Sequence, residues 1–331
     1  MTLDDPAGPV TIETVEAAAT RLAGHVRHTP LLSSPFLDEI AGRRILVKPE
    51  CLQHTGSFKF RGAWSAISAL APELREKGVV AYSSGNHAQG VALAAKMHGI
   101  PAVIVMPSDA PQLKLKNTAA LGAEVVTYDR HGENREEIGG ALAAERGLAL
   151  IRPYDDPQVI AGQGTAGLEI AADAEALGID RAEVLVCCGG GGLTSGIGLA
   201  LEAYRPGFRV RPVEPVGFDD VARSLAAHER LEVIPGSRSI CDAVVTPAPG
   251  ELTFPILDRL CGPGMTASDE DVLFALAQAF RRLKIVLEPG GALSLAAALR
   301  QPDRIEGDTV IVVASGGNVD AAVFARALEM A

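Results

Sequence analysis

Short runs of apolar and β-branched residues punctuate the chain: RILVKPE (44–50), VVAY (79–82), AVIVMP (102–107), EVVTY (124–128), EVLVCC (183–188), FRVRPVE (208–214) and TVIVVAS (309–315). Between them lie longer alanine- and leucine-rich segments of helical pattern. The short runs are mostly continuous in their apolar character rather than alternating, as strands covered on both faces are. The rhythm predicts βαβ units and an open α/β fold, with mostly parallel sheets carrying helices on both faces. Sites are expected at the carboxyl ends of the strands.

Three glycine-rich stretches directly follow such strands: SSGNHAQG from Ser83, CGGGGLTSG from Cys188 and SGGN from Ser315. Each is followed by a helical pattern, the arrangement in which free N–H groups at a helix start bind anions. Three anion or polar-ring contacts are thus expected to meet in one cleft. Stretches with Pro and charge, APELREKG (71–78) and IRPYDDPQ (151–158), read as joints around a small inserted domain. The expected organisation is a large domain of residues 1–70 and 155–331 and a small domain of residues 78–154. The Pro- and Gly-rich segment Ser237 to Met265 reads as a long irregular connection, of the kind that often borders a site.

Length and charge narrow the function classes. A chain of 331 residues can bury a full core and suggests two domains. A formal net charge of −11 argues against a nucleic-acid partner, whose phosphates are bound by clustered Lys and Arg. The longest apolar runs fall far short of the roughly 20 residues of a membrane helix. The first residues, MTLDDPAGP, are acidic and lack the apolar core of a leader, so a cytoplasmic location is expected. Cys51, Cys187, Cys188, Cys241 and Cys261 form no C-x-x-C pair and read as small buried side chains rather than disulfides or zinc ligands.

Candidate chemistry begins at Thr55-Gly-Ser-Phe-Lys-Phe-Arg-Gly62. The spacing predicts a helix starting near Ser57, with Lys59 one turn inside it between Phe58 and Phe60. A partly desolvated ammonium loses its proton more readily, and the neutral amine is what attacks an aldehyde. Alone, such a lysine reads first as an interface or ion-pair residue. The tetraglycine Gly189, Gly190, Gly191 and Gly192 could cradle the phosphate of any nucleotide, and Glu214 even imitates a ribose-binding acid. Yet G-x-G-x-x-G fails in every register, since its last position falls on Thr194 or Ser195. A run of glycines suits a single phosphate held by backbone N–H groups.

With these motifs in hand, the chain resembles the fold type II pyridoxal phosphate enzymes (tryptophan synthase β-like), close to the threonine/serine dehydratases and serine racemase. TGSFKFRG, SSGNHAQG, VIAGQGT, GGGGL, EPGGA and SGGN occur in the family order, from HTPLL at His28 to SGGNVD ending at Asp320. The resemblance implies pyridoxal 5′-phosphate bound as an imine on Lys59, with Phe58 against the ring, Asn86 on its 3′-oxygen and Ser315 at the pyridine nitrogen. Gly189 to Leu193 would hold the phosphate. An amino-acid carboxylate would meet the loop Ser83, Ser84, Gly85, Asn86 and His87, where His87 is either a ligand or a cap of the turn. Glu214, the carbonyl of Phe218 and Asp220 match a divalent-metal site for Mg²⁺, Ca²⁺ or Mn²⁺, the alternative being a solvated acidic turn.

The implied reaction is β-elimination from a small β-hydroxy amino acid, L-threonine or L-serine, to a keto acid and ammonia, with Lys59 removing the α-proton. Ser84 resembles the second acid/base of serine racemase, or is an extra loop hydroxyl. A 3-hydroxyaspartate dehydratase and a racemase with eliminase activity are the alternatives, and a silent cofactor-binding relative the reading from another class. A hydroxyaspartate enzyme needs a cation for the second carboxylate, which His54 or Arg135 could supply unless both are surface charges. The resemblance also implies a homodimer. The few residues beyond SGGNVD lead to the expectation of no C-terminal regulatory domain and no isoleucine feedback.

Overall fold

The computed structural model describes residues 8–110 and 112–330; residues 1–7 of the N-terminal stretch read above as no leader lie outside them. Among the described residues ten strands follow in chain order: β1 (Leu32–Ser33), β2 (Arg44–Lys48), β3 (Val79–Tyr82), β4 (Ala102–Pro107), β5 (Glu124–Tyr128), β6 (Ala149–Leu150), β7 (Ala182–Cys187), β8 (Phe208–Pro215), β9 (Met265–Ala267) and β10 (Thr309–Val313). They form two sheets, β5-β4-β3-β6 and β1-β2-β10-β7-β8-β9. Every pairing is parallel except that of β1 with β2. The mostly parallel α/β fold read from the pattern is the fold observed. No helix among the described residues is long and apolar enough to cross a membrane.

The chain separates into two compact units, Met1–Val26 with Lys59–Gln163, and Arg27–Phe58 with Gly164–Ala331. The first holds the four-stranded sheet. Val79 and Ala81 of β3 and Ile104 and Met106 of β4 face one core with Phe60, Trp64, Ala88 and Val91. Val80, Tyr82, Val103 and Val105 face the other, where Ile138 and Leu142 of the Arg135–Arg146 helix cover them. Alternation between two cores explains why both strands read as unbroken apolar runs. The Lys59–Ala69 and Asn86–His98 helices pack closely because Gly90 lacks a side chain: a Cβ there would stand 3.2 Å from the Lys59 carbonyl carbon. Trp64 lies between the rings of His25 and His98, each centroid 4.2 Å away, and its Nε1 donates to the Arg21 carbonyl.

The second unit repeats the logic at larger scale. Ile45, Val47, Leu185, Cys187, Val310 and Val312 point to one core, and Leu46, Val184, Val186, Ile311 and Val313 to the other. Each such side chain buried contributes roughly 1.5–3 kcal/mol, so a one-residue register slip would be costly. Cys51, Cys187, Cys188 and Cys241 are buried and Cys261 half-buried, all as free thiols. Burial pushes Cys51, Cys241 and Cys261 up to about 12, which keeps them protonated and unreactive. The segment expected to be irregular from Ser237 to Met265 contains a helix, Thr253–Leu260, whose apolar face buries Leu257.

Candidate active site

In the first unit, Lys59 is the first residue of its helix, not a turn inside it. The reason lies just upstream: Ser57 is extended (φ −163°, ψ 159°) and pairs as a β-bridge with Gly316, and the Phe58 N–H donates to the Ser315 carbonyl at 3.2 Å. The Lys59 ammonium donates to the Pro153 carbonyl at 2.6 Å, and burial pulls it down to about 8. That leaves a minor neutral fraction near neutrality, the state a nucleophilic or proton-accepting lysine requires.

The loop after β3 lies in the same unit. The Ser83 N–H donates to the Val105 carbonyl (3.0 Å), and the Ser83 hydroxyl accepts from the Gly85 N–H (3.2 Å). Gly85 precedes the helix that opens with Asn86 and His87, both buried. His87 Nε2 lies 2.9 Å from the Ile151 carbonyl, and since a carbonyl only accepts, Nε2 carries the hydrogen. Burial first and the Lys59 charge second pull His87 down to about 3, so the ring is neutral. Its Nδ1 is then a buried acceptor with no partner among the described residues. Both carbonyls that orient Lys59 and His87 come from the stretch read as a joint, 151–158, a role with no signature of its own.

Next to this loop, and within the same unit, Ser83, Ser84, Val105, Pro107, Tyr128, Arg130 and Arg135 line a cavity of about 110 Å³. Arg135, at the start of its helix, lays its guanidinium over the Tyr82 ring, 5.7 Å from the centroid. Arg130 was not anticipated, because a lone arginine in a polar turn carries no pattern.

The second unit carries the glycine loop between β7 and the Gly192–Tyr204 helix. Gly191 has φ +94°, and a Cβ there would stand 2.7 Å from Leu257 Cδ1 and 2.9 Å from Thr253 Oγ1. At Gly189 it would stand 3.0 Å from the Val244 carbonyl oxygen. The Gly190 carbonyl accepts from the Thr253 hydroxyl (2.6 Å) and the Gly250 N–H (3.1 Å), locking the loop. Among the described residues, no backbone carbonyl accepts from the N–H groups of Gly189 to Gly191. Leu193 is buried, and the Thr194 hydroxyl in the first turn is buried without a partner among the described residues. Thr194 and Thr253 escaped the sequence reading: the first was weighed only as a failed glycine, and the second lies 63 residues from the carbonyl it holds.

Phe58 and Ser315 also belong to this unit, with Ser315 buried after β10. The Ser57 hydroxyl is a second buried group lacking a partner among the described residues. His54 is half-buried, and burial first and the Arg27 charge second lower its pKa.

Glu214 and Asp220 are both buried, beyond the reach of a solvated turn. The Glu214 carboxylate accepts from the N–H groups of Val221 (2.9 Å) and Ala222 (2.7 Å), capping the Asp220–Ala227 helix. Burial and the neighbouring Asp220 charge raise Glu214 well above the carboxylate range, and burial raises Asp220 to about 6. Asp220 Oδ2 has no partner among the described residues. Phe218 donates its N–H to the Pro215 carbonyl in the turn between them. Among the described residues no group of three or more His, Cys, Asp or Glu is arranged to hold a metal.

A family model described as pyridoxal-phosphate dependent enzyme matches residues 22–316. An L-threo-3-hydroxyaspartate ammonia-lyase of Saccharomyces cerevisiae is 42% identical over 94% of both chains. A serine racemase of Schizosaccharomyces pombe is 38% identical over 96% of this chain and 97% of its own. Among solved structures, a T.th. threonine deaminase is 47% identical, superposes with a TM-score of 0.88 and covers 94% of this chain and 99% of its own.

Proposed function

The chain belongs to the pyridoxal-phosphate dependent enzymes of fold type II, in the clan of threonine/serine dehydratases and serine racemases, and from that premise we propose that it converts 3-hydroxyaspartate to oxaloacetate and ammonia by β-elimination of water followed by hydrolysis. The coarser reaction, cofactor-dependent β-elimination or racemisation of a small amino acid, is common to the relatives named above. Within it, the expectation of L-threonine or L-serine as principal substrate gives way to the dicarboxylic alternative. The observation that carries this choice is the cavity where two arginines, Arg130 and Arg135, share a lining with Ser83 and Ser84. A second substrate carboxylate would give this arginine pair an anion beyond Asp109, which Arg130 already holds.

The residues fit the cofactor. Gly189 and Gly191 leave no room for a Cβ against Val244, Leu257 and Thr253, the Thr194 hydroxyl beside them is buried with no partner among the described residues, and Lys59 is a buried amine of lowered pKa. Lys59 would hold the aldehyde carbon, Gly189 to Leu193 with Thr194 the phosphate, Phe58 and Asn86 the ring and its 3′-oxygen, and Ser315 the pyridine nitrogen. When bound, pyridoxal phosphate supplies an electrophilic carbon for the substrate amine and a ring that accepts electron density from Cα.

This chain's own residues do the rest. The Ser83–His87 loop receives the α-carboxylate at the helix start, and the cavity that Arg130 and Arg135 line receives the second carboxylate. Lys59 Nζ takes the α-proton, for which a pKa of about 8 leaves it a neutral fraction at neutral pH. Neutral His87 presents an acceptor without adding a second cation beside Lys59. A hydroxyl on Cβ then leaves as water, and hydrolysis yields oxaloacetate and ammonia. Ser84, which lines the cavity, supplies a second proton donor, supporting some racemisation alongside elimination.

Glu214, Asp220 and the Phe218 carbonyl would hold a hard divalent cation such as Mg²⁺, Ca²⁺ or Mn²⁺ if Glu214 shares the oxygens that cap its helix; Asp220 offers an oxygen with no partner among the described residues. The reading extends to a cytoplasmic homodimer that acts on a free amino acid. Its test is keto-acid formation by the purified yellow protein from L-serine, L-threonine and both 3-hydroxyaspartate diastereomers. A higher kcat/KM for a hydroxyaspartate is expected; a protein that prefers serine or threonine, or turns over none of them, refutes the proposal.

A further inference from the structure

Asp109 has no role assigned so far, and Arg130, its partner, shares the cavity with Arg135 and the substrate loop. Its guanidinium is fixed: Nε donates to Asp109 Oδ1 at 2.8 Å, and a terminal nitrogen reaches the same oxygen at 2.8 Å. Both ends of this pair are anchored in backbone. On the arginine side, the turn after β5 is closed by the Asp129 carbonyl accepting from Gly132 (3.2 Å) and Glu133 (2.9 Å). The Asp129 carboxylate accepts from the His131 N–H (3.0 Å), and Glu133 accepts from the Asp129 N–H (2.6 Å). The acidic neighbours Asp129 and Glu133 are thereby engaged by the turn itself. On the aspartate side, the Ser108 N–H donates to the Tyr128 carbonyl (2.8 Å), which ties the turn after β4 to the end of β5.

The pair itself is solvated, with side chains 47% and 56% exposed, a setting in which ion pairs add little to stability. What the arrangement achieves is orientation. A guanidinium has five N–H donors, and Asp109 engages two, leaving three in a fork of fixed direction. Arg135, by contrast, is positioned by one contact with an aromatic face. A donor already held in its binding geometry loses less freedom when an anion arrives.

We propose that Arg130, positioned by Asp109, is the specificity-determining residue that selects substrates with a second carboxylate. The inference rests on the dicarboxylate reading above, and the test separates the two. L-Aspartate and L-alanine differ by one carboxylate and neither carries a β-hydroxyl, so the ratio of their Kd values on the holoenzyme, measured by calorimetry, isolates that group. Preference for L-aspartate is expected in the wild type, reduced about tenfold by Arg130→Gln. Arg130→Lys, which keeps the charge and loses the fork, should restore part of it, and Asp109→Ala should lower it about threefold.

An unaltered preference in Arg130→Gln overturns the proposal while leaving the dicarboxylate reading standing, and a stronger preference in Asp109→Ala overturns the positioning role. A wild type that prefers L-aspartate through Arg130 yet does not degrade hydroxyaspartate sinks only the substrate reading. A wild type with no preference sinks both.

Discussion

Replacing Lys59 by methionine should make the cofactor-free protein's stability less dependent on pH, in a direction set by burial. The amine sits at about 8 in the fold against 10.5 ordinarily. Between those values the unfolded chain binds more protons than the folded one, so wild-type stability rises with pH across that window. At pH 7 both forms are mainly protonated, and burying the ammonium costs roughly 3 kcal/mol, from 1.36 kcal/mol per pKa unit. By pH 9.5 the folded form is mainly neutral and the cost has fallen to about 1 kcal/mol. Methionine has similar volume and no charge, but it leaves the Pro153 carbonyl without its donor, a loss of about 1–3 kcal/mol. The two terms nearly cancel at pH 7, so the slope is the discriminating quantity: wild type should gain about 2 kcal/mol on the variant between pH 7 and 9.5. Urea unfolding of both proteins at several pH values measures it. Parallel pH curves would refute the assignment of a desolvated amine. In the loaded enzyme the variant should also lose keto-acid formation by at least about 10²–10⁴-fold, the worth of a general base.

Other expectations concern the cradle and the acidic pair. Gly191→Ala puts a side chain at φ +94° within 2.7 Å of Leu257 Cδ1, so pyridoxal phosphate titration should show markedly weaker binding, with a stability loss of about 2–4 kcal/mol in thermal melts. Thr194→Val removes a buried hydroxyl that has no partner among the described residues; the cofactor-free protein should be as stable or more so, yet bind pyridoxal phosphate about tenfold more weakly. An equal loss in both measurements would make Thr194 merely structural. Chelation should lower the melting temperature and millimolar Mg²⁺ restore it, an effect that Asp220→Asn should blunt; indifference to both additions would remove the metal from the scheme.

Much of the candidate site could be read from spacing because its parts are local. The glycine run after β7, the Ser83–His87 loop after β3 and Ser315 after β10 each combine a strand signal with a turn signal inside about ten residues. Lys59 was found for the same reason, but its exact place on the helix was not. The bridge that holds Ser57 extended is made with Gly316, over 250 residues away, and no local preference encodes it. The hidden helix Thr253–Leu260 is a similar case: its eight residues are short and set among prolines and glycines that read as loop, and its start is stabilised by contact with the glycine loop it locks.

Residue order was thus sufficient for the α/β class, the parallel sheets and the family, because strand and helix periods and glycine turns arise from short-range sterics that neighbouring residues impose on one another. Protonation and partnership required the packed chain. Lys59 near 8, His87 held neutral with one acceptor left over, Glu214 serving as a helix cap and Arg130 aimed by Asp109 all depend on which distant groups desolvate or touch them. Electrostatic energies vary with distance and burial, and neither quantity exists until the chain has folded.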